Sequence, residues 1–266
     1  MTPSSTDNVQ PVPAFQDNYL WVIHDGRHAA VVDPSGAAPV IEYLCANGHQ
    51  LIRIICTHHH ADHVGGVEPL LDFLQLRGEI PVYGPATERI PARSQALCKG
   101  DCIVVLLLEL SFDVLVVHDH TVGHIAYFGQ GLLFCGNTLF ACGCGRLFEG
   151  TATQMTASLA KQKRLPPKTK LFCAHEYTKA NIKFAEAVGP ENAGLKLRKA
   201  FCAAKRQRHH PTVPSTIHLE LATNPLLRWD QPAVQAAAAA RLKRAIGADP
   251  APALVFGAIR ERKNNF

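Results

Sequence analysis

The six positions His58-His59-His60-Ala61-Asp62-His63 hold four imidazoles and one carboxylate. Neutral imidazole nitrogens and carboxylate oxygens are the donors that borderline metals such as zinc and iron accept. Uncompensated imidazoles crowded onto one loop would gain nothing structurally, so the cluster points to metal binding. His58 and His60 alternate and can face one side of an extended loop, whereas Asp62 and His63 open the helix that comes next and face a neighbouring point. Two metals close together fit this spacing. Further ligand-type residues stand at three other places: His118, His120 and His124 in "HDHTVGHIAYF", Asn137 in "CGNTLF", and His175 in "CAHEYT". A lone histidine is usually structural. These become candidates together, because each group comes after a short apolar run.

Those runs are the elements that must position the side chains. Residues 51–55, "LIRII", are β-branched and short and predict a strand that ends where the histidines begin. Gly65-Gly66 follow the cluster, and the apolar positions Val64, Val67, Leu70, Leu71 and Leu74 recur at helical spacing. A ligand loop at the carboxyl end of a strand is the usual place of an α/β active site. Strands are also expected at 20–23, 29–32, 81–83, 103–107, 114–117, 125–128, 132–135 and 170–173, with helices at 38–47 and 153–163, so sheets covered by helices are expected. Beyond about residue 176 the pattern turns helical, at 178–188, 193–207 and 232–247. The expected division is a catalytic domain over 1–176 and a helical domain over 177–266. Residues 209–225, rich in proline and threonine, read as an extended surface connector.

Composition narrows the class. A chain of 266 residues, 47% hydrophobic and 18% charged, can bury a full core. Its longest apolar run, 102–108, is far short of the roughly 20 residues of a membrane helix. The polar start, 1–10, resembles no signal peptide, and nine cysteines without a tight framework suit a reducing compartment; a cytoplasmic location is expected. Cys142-Gly-Cys144 reads as plain loop. The net charge of +5 gathers late, at 195–210 and 258–266. The first run reads as a solvated helix face.

The signature H-x-H-x-D-H, realised as His58, His60, Asp62 and His63, resembles that of the metallo-β-lactamase superfamily. More narrowly, "VVDPSGAAPV", "THHHADHVGG", "LFCGNTLFACGCGRLFEGT", "PSTIHLELATNPLLR" and the terminal "RERKNNF" are similar to the hydroxyacylglutathione hydrolase family. The resemblance implies an αββα sandwich followed by a small helical domain. It implies two zinc ions, with iron or manganese as alternatives: one held by His58, His60 and His120, the other by Asp62, His63 and His175. Arg146, Tyr177, Arg260 and Lys263 match its glutathione-binding positions, and His59 and His124 match positions that do not ligate. The implied reaction is hydrolysis of a glutathione thioester by a metal-activated water, with His58, His60 and Asp62 at its centre. A small-molecule substrate, no nucleic acid, no membrane and a monomer are expected.

The chain departs from that family at two points. Asn137 stands where relatives carry an aspartate that bridges the metals; an amide offers one good oxygen and no charge, which weakens the case for the second metal. His118 and Asp119 replace a proline and a glycine before His120, which makes His118 a competing ligand candidate. The weakened second site opens two other readings: a persulfide dioxygenase-like enzyme with one iron, or a catalytically weakened metal-binding homologue.

Overall fold

The computed structural model describes residues 8–118 and 120–266, so residues 1–7 and Asp119 lie outside the described residues. By contacts the chain forms two units. The first takes the chain up to Val116 together with Gly123–Gly136, and the second takes Val117–Val122 and Asn137–Phe266.

In the first unit, β1 (Val9–Ala14), β2 (Asn18–His24) and β3 (His28–Val32) form an antiparallel meander. After α1 (Ala37–Asn47), β4 (Gln50–Ile55) pairs parallel with β3. The short helices α2 (Ala61–Val64) and α3 (Val67–Phe73) then lead to β5 (Val82–Pro85), parallel to β4, and β6 (Gln95–Leu97) closes the sheet. Parallel pairing requires such crossovers, and they leave β4 inside the sheet with its carboxyl end free for a ligand loop. One face of the sheet packs Leu20, Val22, Val31 and Ile54 against Val40 and Leu44 of α1 and Val67 and Leu70 of α3. The 3.6-residue spacing expected around Gly65-Gly66 is present but in two helices rather than one. At Gly66 an added Cβ would lie 2.6 Å from the carbonyl oxygen of Pro34, so the chain turns there where only glycine fits.

The same unit holds a second antiparallel series in the order β10-β9-β8-β7: β7 (Cys102–Val105), β8 (Leu110–Val116), β9 (Ile125–Gly129) and β10 (Leu132–Gly136). Tyr127 of β9 donates its hydroxyl to the Cys56 carbonyl at 2.7 Å, linking this series to the end of β4. The strand expected over 103–107 stops at Val105, because Leu106–Leu108 form a 3-10 turn ending at Glu109 with φ 53°.

The second unit opens with the small hairpin β11 (Leu139–Phe140) and β12 (Gly143–Cys144). Then come α4 (Ala152–Lys163), β13 (Lys170–Cys173), α5 (Thr178–Val188), α6 (Ala193–Gln207), β14 (Ser215–Thr216), α7 (Ile217–Thr223), α8 (Pro232–Leu242) and α9 (Pro252–Asn264). Local signals account for several starts. Thr151 and Gln154 form a capping box on α4, Asn192 caps α6, and α8 and α9 each begin with proline. α9 buries Val255, Phe256 and Ile259 and packs on α4 and α8.

One expectation fails in this unit and another holds with one exception. Residues 209–225 are not an extended surface connector: β14 and α7 form within them, and Ile217, Glu220, Thr223 and Asn224 are almost fully buried. The basic run at 195–210 is mostly solvated, but Arg198 turns inward to an ion pair with Glu220, Nη2 to Oε1 at 2.5 Å. Helical periodicity gives the face on which a residue lies; it does not reveal a partner that waits on another element.

Candidate metal centre

Asp33 ends β3 at φ 50°, beside the point where parallel β4 releases the ligand loop. Its carboxylate accepts from the Thr57 backbone N–H at 2.7 Å and from the Thr57 hydroxyl at 2.8 Å, and lies 3.0 Å from His63 Nδ1. A ring nitrogen facing a carboxylate carries the proton, so His63 presents the bare Nε2 as its ligand atom. His58 obeys the same logic, with Nδ1 3.0 Å from a Thr57 hydroxyl that already donates to Asp33. Its Nε2 lies 3.2 Å from His60 Nδ1. Burial and the neighbouring His59 push the His60 pKa down, which favours the neutral form that a metal ligand needs.

Glu88 holds this loop from the other side. Its Oε2 accepts from the His59 backbone N–H at 2.6 Å and lies 2.9 Å from His59 Nδ1, while Oε1 accepts from the Gly123 N–H at 3.0 Å. His59 is thereby turned to Glu88. Asn18 donates to the Asp62 carbonyl at 3.1 Å. The motifs assign no role to Asp33, Glu88 or Asn18. For Asp33 a signal existed: a carboxylate at the end of the strand expected next to β4.

In the second unit, His120 Nδ1 lies 3.2 Å from the Arg146 carbonyl, which places the proton on Nδ1 and makes Nε2 the acceptor. Asn137 Nδ2 is 3.3 Å from that Nε2, and Asn137 Oδ1 is buried without a hydrogen-bond partner. The His175 ring stacks on Tyr177 with centroids 4.7 Å apart and planes 4° apart, and Phe140 meets Tyr177 edge-on. His118 turns its Nδ1 to the Val122 carbonyl, a competing engagement for the alternative ligand; Asp119 lies outside the described residues.

The candidate glutathione-binding residues differ in exposure. Arg146 is exposed and Tyr177 is partly so. Arg260 is 3% exposed, its guanidinium donating to the Cys144 carbonyl at 2.9 Å and to Asn264. Lys263 donates to Asn181 Oδ1, and burial together with Arg260 lowers its pKa to about 8. Cys142 and Cys144 lie in the β11–β12 hairpin as free thiols, and burial raises the Cys142 pKa to about 12.

Among the described residues, two groups of three offer ligand atoms that all lie within 4.8 Å of one another: His58, His60 and His120, and Asp62, His63 and His175.

Comparison with known proteins gives these residues a context. Residues 14–175 match the metallo-β-lactamase superfamily, and residues 176–266 match the hydroxyacylglutathione hydrolase C-terminus. A hydroxyacylglutathione hydrolase of Nitrosomonas eutropha is 48% identical, the match covering 97% of this chain and 99% of the relative. One from Cupriavidus taiwanensis is 52% identical, with 97% and 98% covered. Among solved structures, the di-iron-bound form of TTHA1623 is 26% identical with a TM-score of 0.52, covering 63% of this chain and 92% of that one.

Proposed function

The chain belongs to the hydroxyacylglutathione hydrolase family of the metallo-β-lactamase superfamily and hydrolyses hydroxyacylglutathione thioesters; we propose that its substrate is S-lactoylglutathione, cleaved to glutathione and D-lactate in the disposal of methylglyoxal. The observation that carries this reading is the pair of three-residue ligand groups.

The donor set fits a divalent metal. Five imidazoles and one carboxylate converge, His58, His63 and His120 have their Nδ1 atoms engaged so that Nε2 faces inward, and the unpartnered Asn137 Oδ1 is a further neutral donor. In this reading His58, His60 and His120 would hold one zinc and Asp62, His63 and His175 the other, with Asn137 Oδ1 available as a further donor. The di-iron neighbour supports iron as an alternative, and manganese accepts the same donors. A divalent cation here supplies Lewis acidity, which brings the pKa of water from about 15.7 towards 7 and polarises the thioester carbonyl.

The chain's own residues do the rest. Asp62, the single carboxylate in the two groups, takes the proton side of the attacking water, while His58 and His60 fix its approach. Attack at the acyl carbon breaks the C–S bond, and glutathione leaves readily as thiolate because thiols ionise near pKa 8.5. Arg146 and Lys263 meet the glutathione carboxylates, Tyr177 contacts its backbone, and Arg260 supports them from behind through the Cys144 carbonyl. On this reading residues 1–176 carry the chemistry, and 177–266 together with Arg146 carry the recognition.

We further propose a cytoplasmic location, as the bacterial relatives suggest, and a monomeric state; no described helix is long and apolar enough to cross a membrane. The small substrate calls for no nucleic acid or membrane partner. The test is S-lactoylglutathione hydrolysis with metal analysis of wild type, His58→Ala and His60→Ala. Both variants should lose turnover and bound metal; activity retained in both would overturn the site.

A further inference from the structure

The segment "IHLELATNP" belongs to the part of the sequence that sets this chain apart from the wider superfamily, and the mechanism above does not use it. It forms α7 and its exit, and its buried polar groups converge on one place, the β11–β12 turn. Glu220 Oε2 accepts from the Cys142 N–H at 2.7 Å, and Cys142 takes φ 61°. Asn224 Nδ2 donates to the Gly143 carbonyl at 2.9 Å and to Glu220 Oε2 at 3.0 Å. Arg198 holds the other carboxylate oxygen at 2.5 Å. Both Glu220 and Asn224 are fully buried.

The residues just past the turn connect it to the chemistry. Gly145 donates to the Thr138 carbonyl at 3.1 Å and packs so closely that an added Cβ would lie 2.1 Å from the Asn137 carbonyl oxygen. The next residue, Arg146, offers the carbonyl that engages His120 Nδ1. A rigid path of hydrogen bonds thus runs from α7 through residues 142–146 to the ring of His120.

We propose that Glu220 and Asn224 are positioning residues: they fix the 142–146 turn and thereby set the orientation of His120 towards a metal and the placement of Arg146 towards the substrate. The buried carboxylate is needed because a residue other than glycine in the left-handed region holds its conformation only when its surroundings over-determine it. The amide is needed because its two hydrogens can serve a carbonyl and a carboxylate together. The inference rests on the proposed metal-ligand role of His120.

The experiment uses Asn224→Asp, which keeps the shape but turns an oxygen towards the Gly143 carbonyl and Glu220, and Asn224→Ala, which removes the donor without adding a repelling atom. Val234→Ala, a buried truncation on α8, controls for general loosening. Each is loaded with cobalt(II) for its visible absorption spectrum, then with zinc for competition against a chelator, well below its melting temperature. Both Asn224 variants should shift the cobalt spectrum and retain zinc roughly 10-fold less tightly, with KM for S-lactoylglutathione raised several-fold, while Val234→Ala loses thermal stability alone. If Asn224→Asp does not fold, Asn224→Ala reads the same quantities. A folded Asn224→Ala protein with wild-type spectrum, zinc retention and KM would overturn the proposal, as would an equal change in Val234→Ala. If wild type hydrolyses no glutathione thioester, the proposed function fails, and the spectrum and zinc retention still decide this inference.

Discussion

At Asn137 the family resemblance leads to an aspartate, and the chain supplies an amide. The two ligand groups contain one carboxylate, so two divalent cations would leave a large uncancelled charge among buried side chains. The amide cannot reduce it. We expect wild type to hold one metal tightly and a second weakly, and Asn137→Asp to strengthen the second by about 10-fold or more, the range in which changes around a metal are felt. Zinc titration followed by calorimetry measures this; two equally tight equivalents in both proteins would contradict it. Lys263 supplies a second test at this scale. Its pKa of about 8 in the folded chain lies below its ordinary 10.5, so between those values the unfolded chain keeps a proton that the folded chain has lost. Its contribution to stability therefore rises with pH over that window and opposes folding below it. The ammonium charge proposed to meet a glutathione carboxylate is lost over the same range, so KM should rise as pH passes about 8. In Lys263→Arg that rise should flatten, because a guanidinium stays charged; pH-resolved kinetics on both proteins would show it.

Among the elements, the part legible in the sequence came from periodicity and punctuation. The strands before each ligand group stand where short apolar runs stop, and α5 and α6 match their 3.6-residue patterns to the residue. α7 was hidden because its proline- and threonine-rich surroundings suggest a loop, while its stability comes from tertiary partners: Thr216 caps it, and Arg198 neutralises Glu220 from another helix. Arg260 and Lys263 show the same limit. Their spacing places them one turn apart, but it does not tell that Arg260 would bury itself against the Cys144 carbonyl while Lys263 stays partly exposed. The structure therefore changes the useful mutation. Arg260→Ala strips a partner from a buried carbonyl and should lower thermal stability as well as binding, whereas Lys263→Ala should raise KM several-fold with kcat and metal content nearly intact. At Gly66, alanine would press against the Pro34 carbonyl. Gly66→Ala should lower the melting temperature and the metal content together, since this turn connects α2, which carries Asp62 and His63, to α3.

For the molecule as a whole, the family was readable from local motifs, whereas the groups that hold the candidate ligand residues were not. Asp33, Glu88 and the Glu220–Asn224 pair act across separations of 24 to 81 residues, and no local pattern announces such partners. Metal should therefore matter beyond chemistry. Binding to the folded chain alone raises stability by mass action, so removal of metal should lower the melting temperature and restoration should raise it again. The same preparation offers the most direct test of the central claim, that a metal held by these histidines and Asp62 hydrolyses a glutathione thioester. Chelator-treated protein, freed of chelator and titrated with zinc, is assayed on S-lactoylglutathione at each step. The account predicts negligible hydrolysis without metal and recovery that tracks bound zinc, absent in His58→Ala. Hydrolysis that persists in metal-free protein, or none at any zinc loading, would contradict it.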